Sequence, residues 1–259
     1  IAAGLDYNAG GCRYTVRSPH IGGAPDAGNS LYAIRKAVFE DHLTTLDHLL
    51  DAIENDWEGE EILRQRILTG YTYYGNDNEE ADAVTAEILD RFADMVLAHK
   101  GESPILYIPG VSTFGRQIDW LGQRTASPFG MKKGAILAGN ASPTPGTDKE
   151  GATSIIESYC RADLEKQVCG AALDVKLHPS ATRGENGLAG IVALLKGFVT
   201  LGGYFLQLDV IDGEVLRKAQ EDPEAYKTLS VRVSGWNARF ITLNRQWQEM
   251  IIERTATGL

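Results

Sequence analysis

The sequence has few cysteines, no long hydrophobic run and fewer basic than acidic residues. Its three cysteines, Cys12, Cys160 and Cys169, form no Cys-x-x-Cys pair and no disulfide framework, so we expect a reducing, cytoplasmic location. No apolar stretch reaches the roughly 18 residues that a transmembrane helix needs. With 25 basic and 35 acidic side chains, the net charge is −10, which argues against binding to nucleic acid or an anionic membrane.

The start of the sequence also lacks familiar features. It has no initiator methionine and no positively charged segment of a signal peptide. We therefore expect the sequence to be a later portion of a longer chain. Glycine is abundant, with 28 of 259 residues, against an average of roughly 7%. This excess predicts many special backbone positions rather than a helical bundle.

Hydrophobic periodicity predicts alternating helices and strands. Apolar residues recur at helical spacing over 29–40, 78–99, 186–199, 213–221 and 244–254. Short apolar runs bounded by turn residues predict strands over 104–108, 173–177, 204–211 and 229–233. The alternation favours an α/β fold. The stretch 109–153 has no clear periodicity, and we expect it to make contacts or to be functional.

Acidic residues cluster on the helix predicted over 78–99. We expect them to lie mostly on a solvated face rather than to form a carboxylate pair for catalysis. They are Glu79, Glu80, Asp82, Glu87 and Asp90.

The most informative pattern lies near the C-terminus. It runs Arg232, Val233, Ser234, Gly235, Trp236, Asn237, Ala238, and it is followed by Ile251, Ile252, Glu253, Arg254, Thr255. This arrangement resembles the signature of the glycyl radical enzymes, the family of pyruvate formate-lyase and the diol dehydratases. Trp236 stands where tyrosine is usual in that family, so the aromatic ring is kept and the phenol is lost.

The resemblance extends over the whole chain. It is carried by the segments 10–14 (Gly-Gly-Cys-Arg-Tyr), 28–34 (Gly-Asn-Ser-Leu-Tyr-Ala-Ile), 74–77 (Tyr-Gly-Asn-Asp) and 142–148 (Ser-Pro-Thr-Pro-Gly-Thr-Asp). One segment, 127–131, departs from the pattern, because the family usually has Pro-Asp-Gly-Arg there. The resemblance implies half of a ten-stranded α/β barrel, ending in a glycyl radical loop and a C-terminal helix. Residues 1–228 would belong to the catalytic barrel, and residues 229–259 to the radical loop and terminal helix.

Gly235 is the expected radical-storage residue. A Cα radical is stabilised when the flanking amide and carbonyl groups lie in one plane, and a Cβ would crowd that arrangement. The alternative interpretation is an ordinary turn glycine, but the flanking matches favour the radical. Arg232, Ser234, Trp236 and Ala238 are expected to support the loop, and Arg232 and Arg239 have the simpler explanation of ion pairs that hold it.

The resemblance also implies partners. A radical S-adenosylmethionine activating enzyme with an iron-sulfur centre would install the glycyl radical, which is protein-derived, so no bound cofactor or metal is expected. The radical would pass to a cysteine in a loop upstream of this sequence. Cys12 aligns with a small residue of the family and is expected to be buried, and Cys160 and Cys169 are expected to be core thiols. The cysteine-bearing half would therefore lie on the same chain or on a separate one.

Three further residues are candidates for contacts with substrate or with the radical loop. His178 follows a predicted strand in a His-Pro-Ser segment that is similar to one in the family. Gln207 and Asp209 lie on one face of a predicted strand, opposite Leu206 and Leu208, where the family often has Gln-Phe-Asn. They could contact the radical loop or merely satisfy turns.

The expected function is that of an anaerobic, oxygen-sensitive glycyl radical lyase or transferase. It would act on a small molecule by C–C, C–O, C–N or C–S cleavage, with arylacetate decarboxylation or diol dehydration favoured, and it would form a homo-oligomer. Three alternatives stay open. They are a separate radical-carrying subunit or spare part, a formate acetyltransferase, and a structural α/β domain without radical chemistry.

Overall fold

A computed structural model describes residues 2, 4–99, 105–113, 116–233 and 236–255. Its helices are α1 (Ala24–Ile34, continued by a π-helical segment Arg35–Glu40), α2 (Leu46–Glu54), α3 (Glu61–Gly70), α4 (Glu79–Ala98), α5 (Gln117–Trp120), α6 (Ala152–Tyr159), α7 (Gly184–Thr200), α8 (Gly213–Glu221) and α9 (Arg245–Thr255). Its strands are β1 (Thr15–Arg17), β2 (His20–Ile21), β3 (Ile105–Tyr107), β4 (Gly110–Val111), β5 (Ala172–Leu177), β6 (Phe205–Val210), β7 (Ser230–Arg232) and β8 (Asn237–Arg239). Within these ranges, no helix has both the length and the apolar composition needed to cross a membrane.

The elements predicted from periodicity are present. The predicted helices correspond to α1 with its π-helical continuation, α4, α7, α8 and α9, and the predicted strands correspond to β3, β5, β6 and β7. The sequence did not predict α2, α3 and the short strands near the N-terminus. In α3 the buried apolar side chains are only Leu63 and Ile67, which is too weak a pattern to recognise.

Parallel strand pairs form the centre of the fold. β1 pairs with β3, β2 with β4, and β5 with β6, each in parallel. A bridge between Val111 and Ala171 connects β4 to β5, and the amide of Cys169 donates to the carbonyl of Pro109 at 2.8 Å. Helices α1 to α4 lie between β2 and β3, and α7 lies between β5 and β6. These long helical connections are what parallel pairing requires. The fold is therefore α/β.

The sheet formed by β5 and β6 has one apolar and one polar face. Leu173 and Val175 of β5 are buried in a cluster with Leu89 of α4, Ile156 of α6 and Phe198 of α7. The residues between them point to the opposite face, because side chains alternate along a strand. In the register of the sheet, Asp174 lies beside Gln207 and Lys176 beside Asp209.

Buried side chains, rather than regular secondary structure, hold most of the stretch 109–153. The Asp26 carboxylate accepts hydrogen bonds from the Ala138 amide at 2.9 Å and from the Thr144 hydroxyl at 3.0 Å. The Asn76 amide group donates to the Thr147 carbonyl at 2.7 Å. Gly75 has a φ of +99° and lies against Pro143, where a Cβ would overlap the proline ring. These contacts join segments that lie far apart in the sequence.

One acidic residue of α4 does not behave as expected. Glu79, Glu80 and Glu87 are exposed. Asp82, however, is fully buried, accepts from the Ser158 hydroxyl at 2.9 Å and lies 3.2 Å from Nε of Arg161. Burial raises its pKa to about 6. The expectation of a solvated face is wrong for Asp82, because this position of the helix faces α6.

The contact between α1 and α4 predicts the effect of a single methyl group. A Cβ at Gly28 would overlap the side chain of Thr85, so we expect Gly28→Ala to reduce the free energy of unfolding by about 1–3 kcal/mol. Gly190 lies in α7 with open space around it, and Gly190→Ala should be neutral or stabilising by up to about 1 kcal/mol. Urea unfolding of both variants tests this, and equal effects would contradict the packing.

The burial of Asp26 predicts a dependence of stability on pH. Burial raises the pKa of Asp26 from 3.8 to about 6, so the folded state binds this proton more tightly than the unfolded state. The stabilisation is complete below about pH 4 and is lost as the pH rises to about 6. Asp26→Asn should flatten this decline, and Asp51→Asn, at an exposed position of α2, should not. Thermal unfolding between pH 4 and 7 measures the slope, and an unchanged slope in Asp26→Asn would refute the assignment.

Candidate active site

The C-terminal segment forms a β-hairpin around the expected radical residue. β7 and β8 are antiparallel, with Val231 beside Ala238 and Arg232 beside Asn237. The amide of Val233 donates to the carbonyl of Trp236 at 2.9 Å. Ser234 and Gly235, which connect these two residues in the sequence, lie outside the described residues. The structure thus determines both chain segments that flank Gly235.

Apolar packing holds the hairpin on one side. Val231 and Val233 are each 3% exposed and belong to a core with Phe240 and residues of α8 and α9. The Gln248 amide group of α9 donates to the carbonyl of Phe240 at 3.1 Å. The helical members of this core are Leu216, Ala219, Met250, Ile251 and Ile252. The two isoleucines of the signature therefore pack beneath the hairpin.

The other side of the hairpin contacts the sheet. Nε of Arg232 donates to Oε1 of Gln207 at 3.1 Å. Nε2 of Gln207 in turn donates to the Asp209 carboxylate, at 3.2 and 3.3 Å from its two oxygens. The structure thus brings three of the predicted site residues together, and their roles in the reaction stay predictions.

The polar face continues onto β5 and the stretch 109–153. Asp174 accepts from the Asn140 amide group at 2.9 Å, and Oδ1 of Asn140 accepts from the Thr113 amide at 3.1 Å. Sequence analysis missed these residues as site candidates. The strict alternation Leu-Asp-Val-Lys-Leu over 173–177 contains the signal, since it describes a strand with one polar face.

His178 lies at the end of β5, beside a cavity of about 350 Å³. Nδ1 of His178 is 2.7 Å from the Ser180 hydroxyl and accepts from the Ser180 amide at 3.2 Å, so the ring caps a short turn. Asp148 and Lys176 also line the cavity, and burial raises the pKa of Asp148 to about 6. The cavity lining does not include Gln207, Asp209 or Arg232. A role of His178 toward substrate stays a prediction.

The remaining predicted loop residues differ in their surroundings. Trp236 is 51% exposed, and Ala238 packs against the hairpin core. Nη1 of Arg239 donates to the carbonyl of Lys227 at 2.7 Å. Among the contacts of the described residues, Arg239 and Arg232 thus donate hydrogen bonds to uncharged oxygens.

The cysteines are less buried than expected. Cys12 and Cys169 are exposed, so their expected burial is wrong, since one follows a short helical turn near the start and the other lies in the turn before β5. Cys160 is half-buried at the end of α6, and burial raises its pKa to about 11. A thiol with this pKa is protonated at neutral pH and is a weak nucleophile. No cluster of His, Cys, Asp and Glu suited to a metal ion occurs in the described part of the chain.

Two family models match consecutive parts of the chain. Residues 1–119 match the model "Pyruvate formate lyase-like", and residues 137–241 match the model "Glycine radical". The second match includes the hairpin and Gly235.

Individual relatives agree with these models. The chain is 35% identical to isethionate sulfite-lyase of Bilophila wadsworthia, over 88% of this chain and 28% of that protein. It is 29% identical to indoleacetate decarboxylase of Tractidigestivibacter scatoligenes, over 95% of this chain and 30% of that protein. The crystal structure of hydroxyproline dehydratase from Clostridioides difficile superimposes with a TM-score of 0.91 and 31% identity, over 98% of this chain and 32% of that chain.

The chain spans about a third of the length of the curated relatives that it matches. Over that third, the similarity includes the parallel strands, the hairpin and the signature around Gly235. The chain belongs to the glycyl radical enzyme family.

Proposed function

We propose that this chain is the radical-storing part of a glycyl radical lyase and that Gly235 stores a Cα radical. The observation that supports this most directly is the position of the hairpin. The hydrogen bond between Val233 and Trp236 joins the two segments that flank Gly235. One side of these segments is packed in an apolar core, and the other is tied to β6 through Arg232.

The residues around Gly235 have supporting roles in this proposal. Arg232 links the loop to the sheet, Ala238 packs into the hairpin core, and Ser234 and Trp236 flank the glycine in the sequence. A radical S-adenosylmethionine activating enzyme would install the radical on Gly235. The radical would then take a hydrogen atom from a cysteine thiol, and the resulting thiyl radical would abstract hydrogen from the substrate. That cysteine would come from the other part of the enzyme, on the same chain or a separate one, since none of the three cysteines has the required context.

The parallel strands support a half-barrel that continues beyond the described strands. β6 pairs with β5 along one edge, and no strand of the described residues pairs with its other edge. Helix α7 next to it exposes a row of apolar side chains, namely Leu188, Val192, Leu195 and Val199. An uncovered strand edge beside apolar surface favours further barrel strands there. Residues 1–228 would then form part of the barrel, and 229–259 the radical loop and terminal helix.

The reaction class is proposed from the relatives. They include a dehydratase, a sulfite-lyase and a decarboxylase, whose names describe elimination or loss of a group from a small molecule. We propose a lyase reaction of this kind, with diol dehydration or arylacetate decarboxylation as the first substrates to test. Gln207, Asp209 and His178 are the residues of this chain proposed to face the substrate or the loop.

Two alternatives remain testable. A separate radical-carrying subunit would associate stably with a protein that carries the cysteine loop, and the denatured mass of the native protein would be 28.2 kDa. A much larger mass would place both parts on one chain. A formate acetyltransferase would instead exchange labelled formate into pyruvate in the presence of coenzyme A.

The assignment of Gly235 predicts the loss of a radical signal. After anaerobic treatment with the activating enzyme and S-adenosylmethionine, we expect an organic radical signal in electron paramagnetic resonance spectra, and we expect Gly235→Ala to abolish it. A Cβ hinders the planar arrangement that stabilises the radical. Gly190→Ala is the control and should retain the signal. A signal of normal size in Gly235→Ala would refute the assignment.

Radical storage at Gly235 also predicts where dioxygen cleaves the chain. Dioxygen adds to a Cα radical, and the backbone then breaks at that residue. Air exposure of the activated protein should release a C-terminal peptide that begins near Trp236, which mass spectrometry can identify. Protein that has not been activated should stay intact. An activated protein that stays uncleaved in air would contradict the proposal.

A further inference from the structure

We propose that Gln207, oriented by Asp209, is a positioning residue that holds Arg232, and with it the loop carrying Gly235, against β6. The inference rests on the proposed function of Gly235 and adds the device that positions the loop. It is carried by a chain of hydrogen bonds, from Arg232 to Gln207 and from Gln207 to Asp209.

The hairpin presents Arg232 to the sheet because its two faces differ. Val231 and Val233 are buried in the apolar core, so the side chain between them points the other way. There Nε of Arg232 lies 3.1 Å from Oε1 of Gln207, a residue 25 positions earlier in the sequence. This bond ties the hairpin directly to a strand of the parallel sheet.

Asp209 determines which way the Gln207 amide group points. An arginine only donates hydrogen bonds, so Gln207 must present its oxygen and not its nitrogen to Arg232. A carboxylate only accepts, and both oxygens of Asp209 lie within 3.3 Å of Nε2 of Gln207. Since residues two apart share one face of a strand, this pairing is local to β6. Asp209 therefore selects the orientation of the Gln207 amide that presents its oxygen to Arg232. Because the two oxygens of a carboxylate are equivalent acceptors, this holds whichever way the Asp209 side chain is turned.

The neighbouring strand adds charges to the same face. Asp174 and Lys176 of β5 lie beside Gln207 and Asp209 in the register. Asp174 also accepts from Asn140. The pair Gln207 and Asp209 is therefore part of a polar surface that is built across two strands.

The first test measures how firmly the hairpin is held, and it needs no radical. In the full protein we expect Gln207→Leu to speed hydrogen exchange of the backbone amides in 229–240 by about two- to tenfold, the factor expected for one exposed hydrogen bond to a charged group. Gln65→Leu makes the same chemical change on α3, where the side-chain amide of Gln65 donates to Glu61 at 3.0 Å, far from the hairpin in the sequence. It should leave exchange in 229–240 unchanged.

Conservative variants separate positioning from general damage to the fold. The combined variant Gln207→Glu/Asp209→Asn keeps an oxygen at 207 that can accept from Arg232 and an amide at 209 that can donate to it, so it should retain slow exchange where Gln207→Leu does not. Arg232→Met should speed exchange as much as Gln207→Leu. Combining Arg232→Met with Gln207→Leu should add little to the effect of either change alone. Additive effects of the two changes would overturn the inference.

The activated protein provides a second readout. A loosely held loop exposes the radical, so activated Gln207→Leu should lose its paramagnetic signal and be cleaved in air severalfold faster than the wild type. The combined variant Gln207→Glu/Asp209→Asn, which keeps an acceptor at 207 and a donor at 209, should behave like the wild type. Unchanged exchange and unchanged cleavage in Gln207→Leu would overturn this inference. A wild-type protein that forms no radical would instead refute the proposed function and leave the exchange result to decide on the loop contact.

Discussion

The alternation of side chains along three strands is the constraint on which the site depends. In β5 and β7 the alternate residues Leu173, Val175 and Val231 are buried, and in β6 the half-buried Leu206 and Leu208 pack against the same core as β5. The residues between them must therefore point away from the cores. In the sheet this places Gln207 and Asp209 on an open polar face. In the hairpin it places Arg232 opposite that face. The candidate site is the surface where these two polar faces meet.

The relative strength of the contacts shows which of them positions the hairpin. Burying a valine side chain contributes about 1.5–3 kcal/mol, and the hairpin buries Val231 and Val233 together with Phe240. A hydrogen bond in a partly exposed setting contributes only about 1 kcal/mol. The apolar core therefore determines where the hairpin lies, whereas the bond between Arg232 and Gln207 adjusts its orientation toward the sheet.

Buried polar groups play the corresponding role for the long stretch 109–153. Asp26 and Asn76 receive or donate hydrogen bonds along this stretch and replace the backbone pairing that a strand or helix would provide. Their burial has a consequence for titration, since the pKa of Asp26 rises to about 6. The wall of the cavity beside His178 depends on these anchors, because Pro143 and Asp148 belong to the same stretch.

The sequence by itself determined the family, the α/β class and the main helices and strands, because these follow from local periodicity and from a motif with fixed spacing. It also placed Gln207 and Asp209 on one face of a strand, since that needs only the period of two. Only the tertiary structure decided what those faces meet. The contact between Arg232 and Gln207, the burial of Asp82 against Ser158 and the exposure of Cys12 and Cys169 depend on residues far away in the sequence. No local pattern encodes such contacts, because burial is decided by the neighbouring elements.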